Sequence, residues 1–499
     1  MTIERNNYQP MKSRTVLIAG VGRIPIGNPD KVYAPGLRLF AFSKILHNSG
    51  YRVIMGEADF EKQPGGQQKI PEKEILKEGW ERRRLPLETV KAAALLSRWI
   101  AEEKPKAAIS TTDVTNLALS MAHTDVPTWM DFNGHPMVER QEIGYIHDCD
   151  EGLLDQWLFI LPSLLSGDHF STCSTPQKHA LIGELGVVGR LNRLTSGHEL
   201  VSSLPPGPVL HEPRPDGRVA FRGRDVPKDA FCLLWTGGFN TWVDEKTLFL
   251  GVEKAMAEID RLQFILTGGE IRGHDEKTFS RFRGRVEKSP FRDRFHFYGW
   301  VPMKDLPNFY HEADVAINID RFTYEAILGC RNRVFSWIHY RLPILTTPLS
   351  EITAKLVSNK MAIGFPPGDI SALAERLSYV QKNTQDINDM TNRAYRFLHE
   401  QYTYENLLKP LLNWLEKPGR APDRKPEHLY RVKDGPWKGL EVPDNPLTKS
   451  SILRVSSGRE KRELKERLDA AEDRLRRLEG SRAVRMAEKI RRILRRTER

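Results

Sequence analysis

The sequence predicts an α/β protein of two tandem doubly wound domains facing a cleft, with a C-terminal helical, basic tail. Three observations predict it. Short apolar runs rich in strand formers alternate with helix-like stretches through residues 14–205, and again through 230–417. The alternation breaks once between them, in the proline- and glycine-rich SSLPPGPVLHEPRPDGRVAFRGRDVPKD, which predicts a linker over 206–229. A chain of 499 residues also exceeds what one hydrophobic core organises.

The elements follow in order. RTVLIAG (14–20) reads as a strand that ends in a glycine loop. GLRLFAFSKILHNSG (36–50) reads as a helix closing on Gly50, and YRVIMGEA (51–58) as the next strand. KAAIST (106–111), VPTWMDF (126–132) and HFSTCS (169–174) continue the strand series, with helical stretches between them. Strands separated by helices predict a parallel sheet covered on both faces. After the linker, AFCLLWTGG (230–238) runs into a glycine turn, and DEKTLFLGVEKAMAEI (244–259) is a helix with Asp244 near its start. LQFILTGG, RFHFYGWV, VAINI, LPILTT and MAIGF supply five more strands, and residues 369–417 read as helices.

Beyond 417 a polar linker is expected over 418–456, then a short coiled coil and basic tail over 457–499. Leu464, Leu468, Ala471, Leu475 and Leu478 form a heptad seam, which suits either a homodimer contact through 460–479 or packing on the body of the protein. Of the net charge of +11, +6 falls in residues 481–499, so the body is only mildly basic. That distribution argues against a nucleic-acid surface on the folded domains, and no nucleic-acid partner is expected. The tail is expected to meet an anionic membrane surface. Cys149, Cys173, Cys232 and Cys330 form no CxxC pair, so free thiols in a reducing compartment are expected. The start has no apolar signal-like region, and LLDQWLFILPSLLSG is too short and too interrupted to span a bilayer. A cytoplasmic protein, peripheral at the inner face of the membrane, is the expectation.

Several stretches together resemble the group 1 (family 4) glycosyltransferases. FYGWVPMKDLPNFYHEADVAINID (297–320) is similar to their glycine, valine and helix segment, which ends in alanine-aspartate before a strand. RLPILTTPLSEI resembles the strand that follows, with Arg341 where glycine is usual. PTWMDFNGHPMVERQ resembles the acceptor-side loop, and GGFNTWVDEKTLFLGVEKAM the opening of the donor domain. The resemblance covers residues 14–417. It implies a GT-B fold of two Rossmann-like domains, an acceptor domain and then a nucleotide-sugar domain, with a last helix crossing back. It implies a hexosyltransferase working from a nucleotide-diphosphate sugar, retaining, on a lipid-linked surface glycan. Neither a cofactor nor a metal is expected; the DCD string at 148–150 is not at a strand end.

Within DRFTYEAILGCRNRVFSWIHYRLPILTTP (320–348), Glu325 corresponds to the family acid that faces the sugar. Glycosyl transfer expels a diphosphate, and preorganised cations lower the barrier where that charge develops. Arg331 and Arg333 are the expected diphosphate ligands, replacing an Arg and Lys that the family carries after the glycine turn and this turn lacks. The family's second acid is missing too: Arg333 stands eight residues past Glu325, and counting back from Pro343 puts the acid's place on Ser336. Gly237, Gly238 and Asn240 are expected at the diphosphate, as are Gly20 and Gly22, whose spacing is not the GxGxxG of dinucleotide sites. Gly268, Trp300, Val301 and Ser336 are expected at the nucleoside. His135, near Asp131 and Glu139 in sequence, is the expected acceptor-side base, its pKa taken as close to working pH. Two other readings stay open: another enzyme on the same fold, such as an epimerase, or a non-catalytic scaffold, which the missing acid and lysine favour.

Overall fold

The computed structural model describes residues 14–26, 32–59, 70–150, 152–208, 214–271 and 274–424. The heptad seam and the basic end lie outside the described residues, as does nearly all of the polar linker.

The first domain holds an eight-stranded sheet: β1 (Thr15–Val21), β2 (Arg52–Ala58), β3 (Lys73–Ile75), β4 (Glu81–Arg84), β5 (Ala107–Ser110), β6 (Thr128–Phe132), β7 (His169–Thr172) and β8 (Val201–Ser203). Their order is β3-β4-β2-β1-β5-β6-β7-β8. Only the β3–β4 pair is antiparallel. Every residue of β1 is buried, as a strand covered on both faces requires. The second domain holds β9 (Phe231–Gly238), β10 (Leu262–Gly269), β11 (Phe295–Gly299), β12 (Val315–Asn318), β13 (Ile344–Thr346) and β14 (Ile363–Gly364). They form one parallel sheet in the order β11-β10-β9-β12-β13-β14.

Each sheet has a point where the strand order reverses: between β1 and β5 in the first, between β9 and β12 in the second. Helices leave to opposite faces there, and the carboxyl ends of the strands open into a crevice. The loops after β1, β5, β6, β9 and β12 are therefore where ligand chemistry is expected.

Three features differ from the sequence reading. Strands β3 and β4 were not expected, because KEI and ERRR carry no apolar signal. They are held by ion pairs instead: Arg82 with Glu57 and Glu74, Arg83 with Glu81 and Glu103. The second half of the expected linker is folded onto the second domain. Phe221 and Val226 are buried with Phe309 and Trp337, and the Glu312 carboxylate accepts from the backbone N–H groups of Ala220, Phe221 and Arg222. The first residues after 417 are also docked. Asp423 forms a buried pair with Arg190 (Nε–Oδ2 2.6 Å), and the Asp168 carboxylate accepts from the Ala421 N–H.

The chain returns to the first domain before that point. Tyr404, Leu408, Leu411 and Leu415 pack into the cluster of Val16, Ile18 and Phe40, below the first sheet. Arg341 takes a left-handed backbone (φ 56), which explains physically why glycine would suit the position. Its guanidinium lies 4.0 Å from the centre of the Tyr395 ring.

Candidate functional site

The first domain contributes the loops after β1, β5 and β6. Gly20 and Gly22 shape the first of these. A Cβ on Gly20 would lie 2.4 Å from Thr111 Oγ1, and Gly22 is at φ +104 with its N–H donated to Ala58. Both serve close backbone packing. After β5, Thr112 caps the helix Asp113–Met121 in a capping box with Thr115.

After β6 the chain passes Asp131, which is fully buried and paired with Arg38 through both carboxylate oxygens. Ser171 donates to the same carboxylate, so Asp131 is occupied as a structural acid. His135 then precedes the helix Pro136–His147. It is buried, its Nε2 lies 3.4 Å from Glu184 Oε1, and its Nδ1 has no partner among the described residues. Burial pushes its pKa down to about 4, and pushes Glu184 up to about 7. The expectation of a base titrating near neutrality is thus corrected: His135 is a neutral imidazole at pH 7 and a weak proton acceptor.

Glu139, on the first turn of that helix, folds back over the loop. A Cβ on Gly134 would sit 1.9 Å from its Oε1, so a side chain there would displace the carboxyl from this position. Its carboxyl is pushed up to about 8, first by burial, then by the charges of Glu325 and Asp113; Arg331 opposes the shift. Glu139 retains partial solvent contact, as a group deep in an open cleft would.

In the second domain, β9 and β10 end together, Gly237 beside Gly268 and Gly238 beside Gly269. A Cβ on Gly268 would meet the Gly237 carbonyl at 2.2 Å, so the two turns come into contact only because Gly268 has no side chain. Open space lies where a Gly237 side chain would be. Asn240 follows, its Oδ1 without a partner among the described residues. Arg333 reaches this turn from the helix Arg333–His339: its Nη2 donates to the Gly238 carbonyl (3.1 Å), its guanidinium lies 4.2 Å from the Trp235 ring centre, and its Nη1 has no partner among the described residues. Burial lowers its pKa to about 10, still a full cation at pH 7.

Arg331 is placed differently from the expectation. Its Nε donates to Asp320 (2.9 Å), and its Nη2 and Nη1 donate to Glu325 (2.8 and 3.2 Å). The Trp242 ring lies over it. One guanidinium spread across two carboxylates, nearly all of it buried, is not available as a diphosphate ligand. It orients Glu325 instead. Glu325, on the short helix Tyr324–Leu328, is pushed up to about 7 by burial, with Arg331 lowering it and Asp320 and Glu142 raising it.

Of the residues expected at the nucleoside, Gly268 lies in the glycine turns. Trp300 lies beside them: its Nε1 donates to the Glu270 carbonyl, and its ring meets Tyr33 of the first domain edge-on at 5.9 Å. Val301 is half-buried against the second-domain core, and Ser336 is buried in its helix.

The domains touch around Glu325. Ser174 Oγ donates to the Leu328 carbonyl, at the end of the Glu325 helix. Arg321 donates to Glu142 of the first domain, and its guanidinium lies 4.5 Å from the Tyr145 ring centre. Thr175 N–H donates to Glu351 (2.7 Å). Sequence reasoning passed over Asp320, Glu142, Arg321 and Ser174, and mentioned Glu139 only as a neighbour of His135. The one legible signal was positional, since Asp320 and Glu139 each follow a strand end by a few residues. No three His, Cys, Asp or Glu side chains among the described residues converge as a metal site. Asp148 of the DCD string is a left-handed helix cap (φ 53).

This arrangement can be compared with known proteins. Residues 230–383 match the family described as "Glycosyl transferases group 1". The matched stretch lies within the second domain and spans β9 to β14. Solved structures match across both domains of this chain. A sucrose-phosphate synthase from Thermosynechococcus elongatus has a TM-score of 0.59 at 15% identity, covering 81% of this chain and 98% of that one. Anabaena HepE in complex with UDP-glucose gives 0.55 at 12%, covering 81% and 99%. An α,α-trehalose 6-phosphate synthase from Burkholderia multivorans gives 0.57 at 12%, covering 81% and 97%. At such identities the likeness shows the fold, which is GT-B. A search of curated protein sequences finds no match.

Proposed function

We propose that this glycosyltransferase moves a hexose-type sugar from a nucleotide-diphosphate sugar to a surface glycan, with retention at the anomeric carbon. One observation carries the reading. Arg333 keeps an Nη1 without a partner among the described residues at the Gly237–Gly238 turn, while Glu325, from the neighbouring loop, is held in place by Arg331. A diphosphate on the glycine turn would meet a fixed cation, and the sugar next to it would meet Glu325. Negative charge that builds on the leaving diphosphate is then stabilised by a group that needs no reorganisation. That the UDP-glucose complex of Anabaena HepE shares the fold supports a nucleotide-sugar donor.

Glu139 supplies, from the opposite domain, a second carboxyl beside the sugar position, close enough to Glu325 to feel its charge. At pH 7 it holds its proton in the larger part and can donate to a sugar hydroxyl. With retention, the departing phosphate oxygen takes the proton of the acceptor hydroxyl, and the neutral His135 need not act as a strong base. A lipid-linked acceptor at the inner face of the membrane rests on the basic residues 481–499 and on the family resemblance.

The experiment is nucleoside diphosphate release across a panel of UDP-, GDP- and dTDP-sugars, for wild type, Arg333→Ala and Glu325→Gln. One donor turning over, with loss in both variants, supports the reading. No release and no thermal shift with any donor supports a non-catalytic scaffold, a reading that the sequestered Arg331 favours.

A further inference from the structure

Among the described residues, five aromatic side chains are well exposed: Tyr145, Phe297, Phe322, Tyr324 and Tyr379. The three most exposed, Phe322 at 75%, Tyr145 at 66% and Tyr324 at 65%, come from two domains and gather at one place. The Arg321 guanidinium lies 4.5 Å from the Tyr145 ring centre, and Phe322 is the next residue along the chain. Tyr324 opens the short helix that carries Glu325, and this helix packs on the helix that carries Tyr145. The rings therefore stand at the mouth of the cleft, one residue from its central carboxylate. Exposed apolar surface of this kind, grouped rather than scattered, marks an interaction site.

The surroundings select the chemistry of the partner. Arg321 and Glu142 lie among the rings, so the surface alternates aromatic faces with hydrogen-bonding groups. A pyranose has the matching form, an apolar C–H face bounded by hydroxyls, and stacks on an aromatic ring while its rim is hydrogen-bonded. An anionic membrane suits the patch less well, because Asp148 and Asp150, both exposed, follow Tyr145 at the end of its helix.

We propose that Tyr145, Phe322 and Tyr324 form a saccharide-binding platform, so that the acceptor is a chain of two or more sugar residues. Its terminal hydroxyl enters between Glu139 and Glu325 while the preceding rings lie on the aromatic side chains. The direction of the chain rests on the transferase reading above; the stacking itself does not.

The test uses the full chain and an array of immobilised oligosaccharides from mono- to hexasaccharide, probed with wild type and the Tyr145→Ser, Phe322→Ser, Tyr324→Ser triple variant. Matched thermal midpoints show that both are folded; if the triple variant is not, Phe322→Ser alone replaces it. The expected result is wild-type binding that strengthens with chain length and falls about tenfold or more in the variant. Equal binding by both proteins, or no saccharide bound by wild type, overturns the platform. So does variant-sensitive binding to phosphatidylglycerol vesicles in place of saccharides. Release of nucleoside diphosphate by wild type, measured in parallel, separates the two readings. Binding without release sinks the transferase and leaves the platform; release without platform-dependent binding does the reverse.

Discussion

Each domain buries an arginine–carboxylate arrangement at the carboxyl end of its sheet, and the two are balanced differently. In the first domain Arg38 meets Asp131 one to one, and Ser171 donates to the same carboxylate. In the second, Arg331 is shared by Asp320 and Glu325, while Arg333 keeps an open N–H group at the glycine turn. Glu139 adds a further carboxyl from across the cleft. The first pair is balanced in charge, although Arg38 Nη1 has no partner among the described residues. An unbalanced set, with acid in excess in one place and a cation unsatisfied in another, is stabilised by a molecule that brings hydroxyls to the first and phosphate to the second. The difference lies in the charge count, one carboxylate to one guanidinium against two, since an unpartnered N–H group occurs in both domains.

The strongest way to break this comparison is Asp131→Ala. It leaves Arg38 buried and uncompensated, and stability should fall by about 3–5 kcal/mol, read from urea unfolding. A loss under about 1 kcal/mol would mean that the first pair is no more than a surface-like contact. Arg333→Ala should do the opposite: donor turnover falls roughly a hundredfold, equivalent to about 3 kcal/mol of transition-state stabilisation, with a small change in unfolding midpoint. If the variant loses stability and keeps its rate, the open cation is structural and the contrast fails.

Glu139→Gln sharpens the comparison through pH. The folded-state pKa of Glu139 is raised to about 8 from an ordinary 4.5, so the folded chain binds this proton more tightly than the unfolded chain. Its contribution to stability is therefore fully present below about pH 4.5 and is lost as the pH rises toward about 8. Glu325 and Glu184, each raised to about 7, slope the same way. Glu139→Gln should be more stable than wild type at pH 8 and lose that advantage by pH 4.5. Urea midpoints across the range check this, and parallel curves for the two proteins would show that Glu139 titrates as it does in water. The smallest effect is expected from Ser174→Ala. It removes a helix cap to Gln177 and the hydrogen bond to Leu328 across the domains, costing about 1 kcal/mol. Restoring the midpoint with Ser174→Thr would tie that loss to the hydroxyl.

Much of the fold could be read along the chain. The strands RTVLIAG, AFCLLWTGG and LQFILTGG carry runs of β-formers ended by glycine, and this local signal survives without knowledge of partners. Strands β3 and β4 could not be found this way, because ERRR forms a strand only once Glu57, Glu74 and Glu103 stand around it. The latter part of the expected linker was misplaced for a similar reason: Pro and Gly signal turns, yet Phe221 finds its pocket only after the second sheet exists.

The site divides along the same line. By itself the sequence determined that glycine turns, one acid and two arginines cluster after two strands, because backbone shape and helix starts are local matters. Only the tertiary structure decided what each charge does. Arg331 and Arg333 are two residues apart and look interchangeable on paper, yet one is neutralised by Asp320 and Glu325 and the other is left open at Gly238. His135 reads as a base, and burial makes it a neutral imidazole. Glu139 and Glu325 are 186 positions apart in the chain and influence each other's ionisation because the domains bring them to one cleft. Ionisation and partnering depend on desolvation and on distances between groups remote in sequence, and neither quantity exists until the chain has folded.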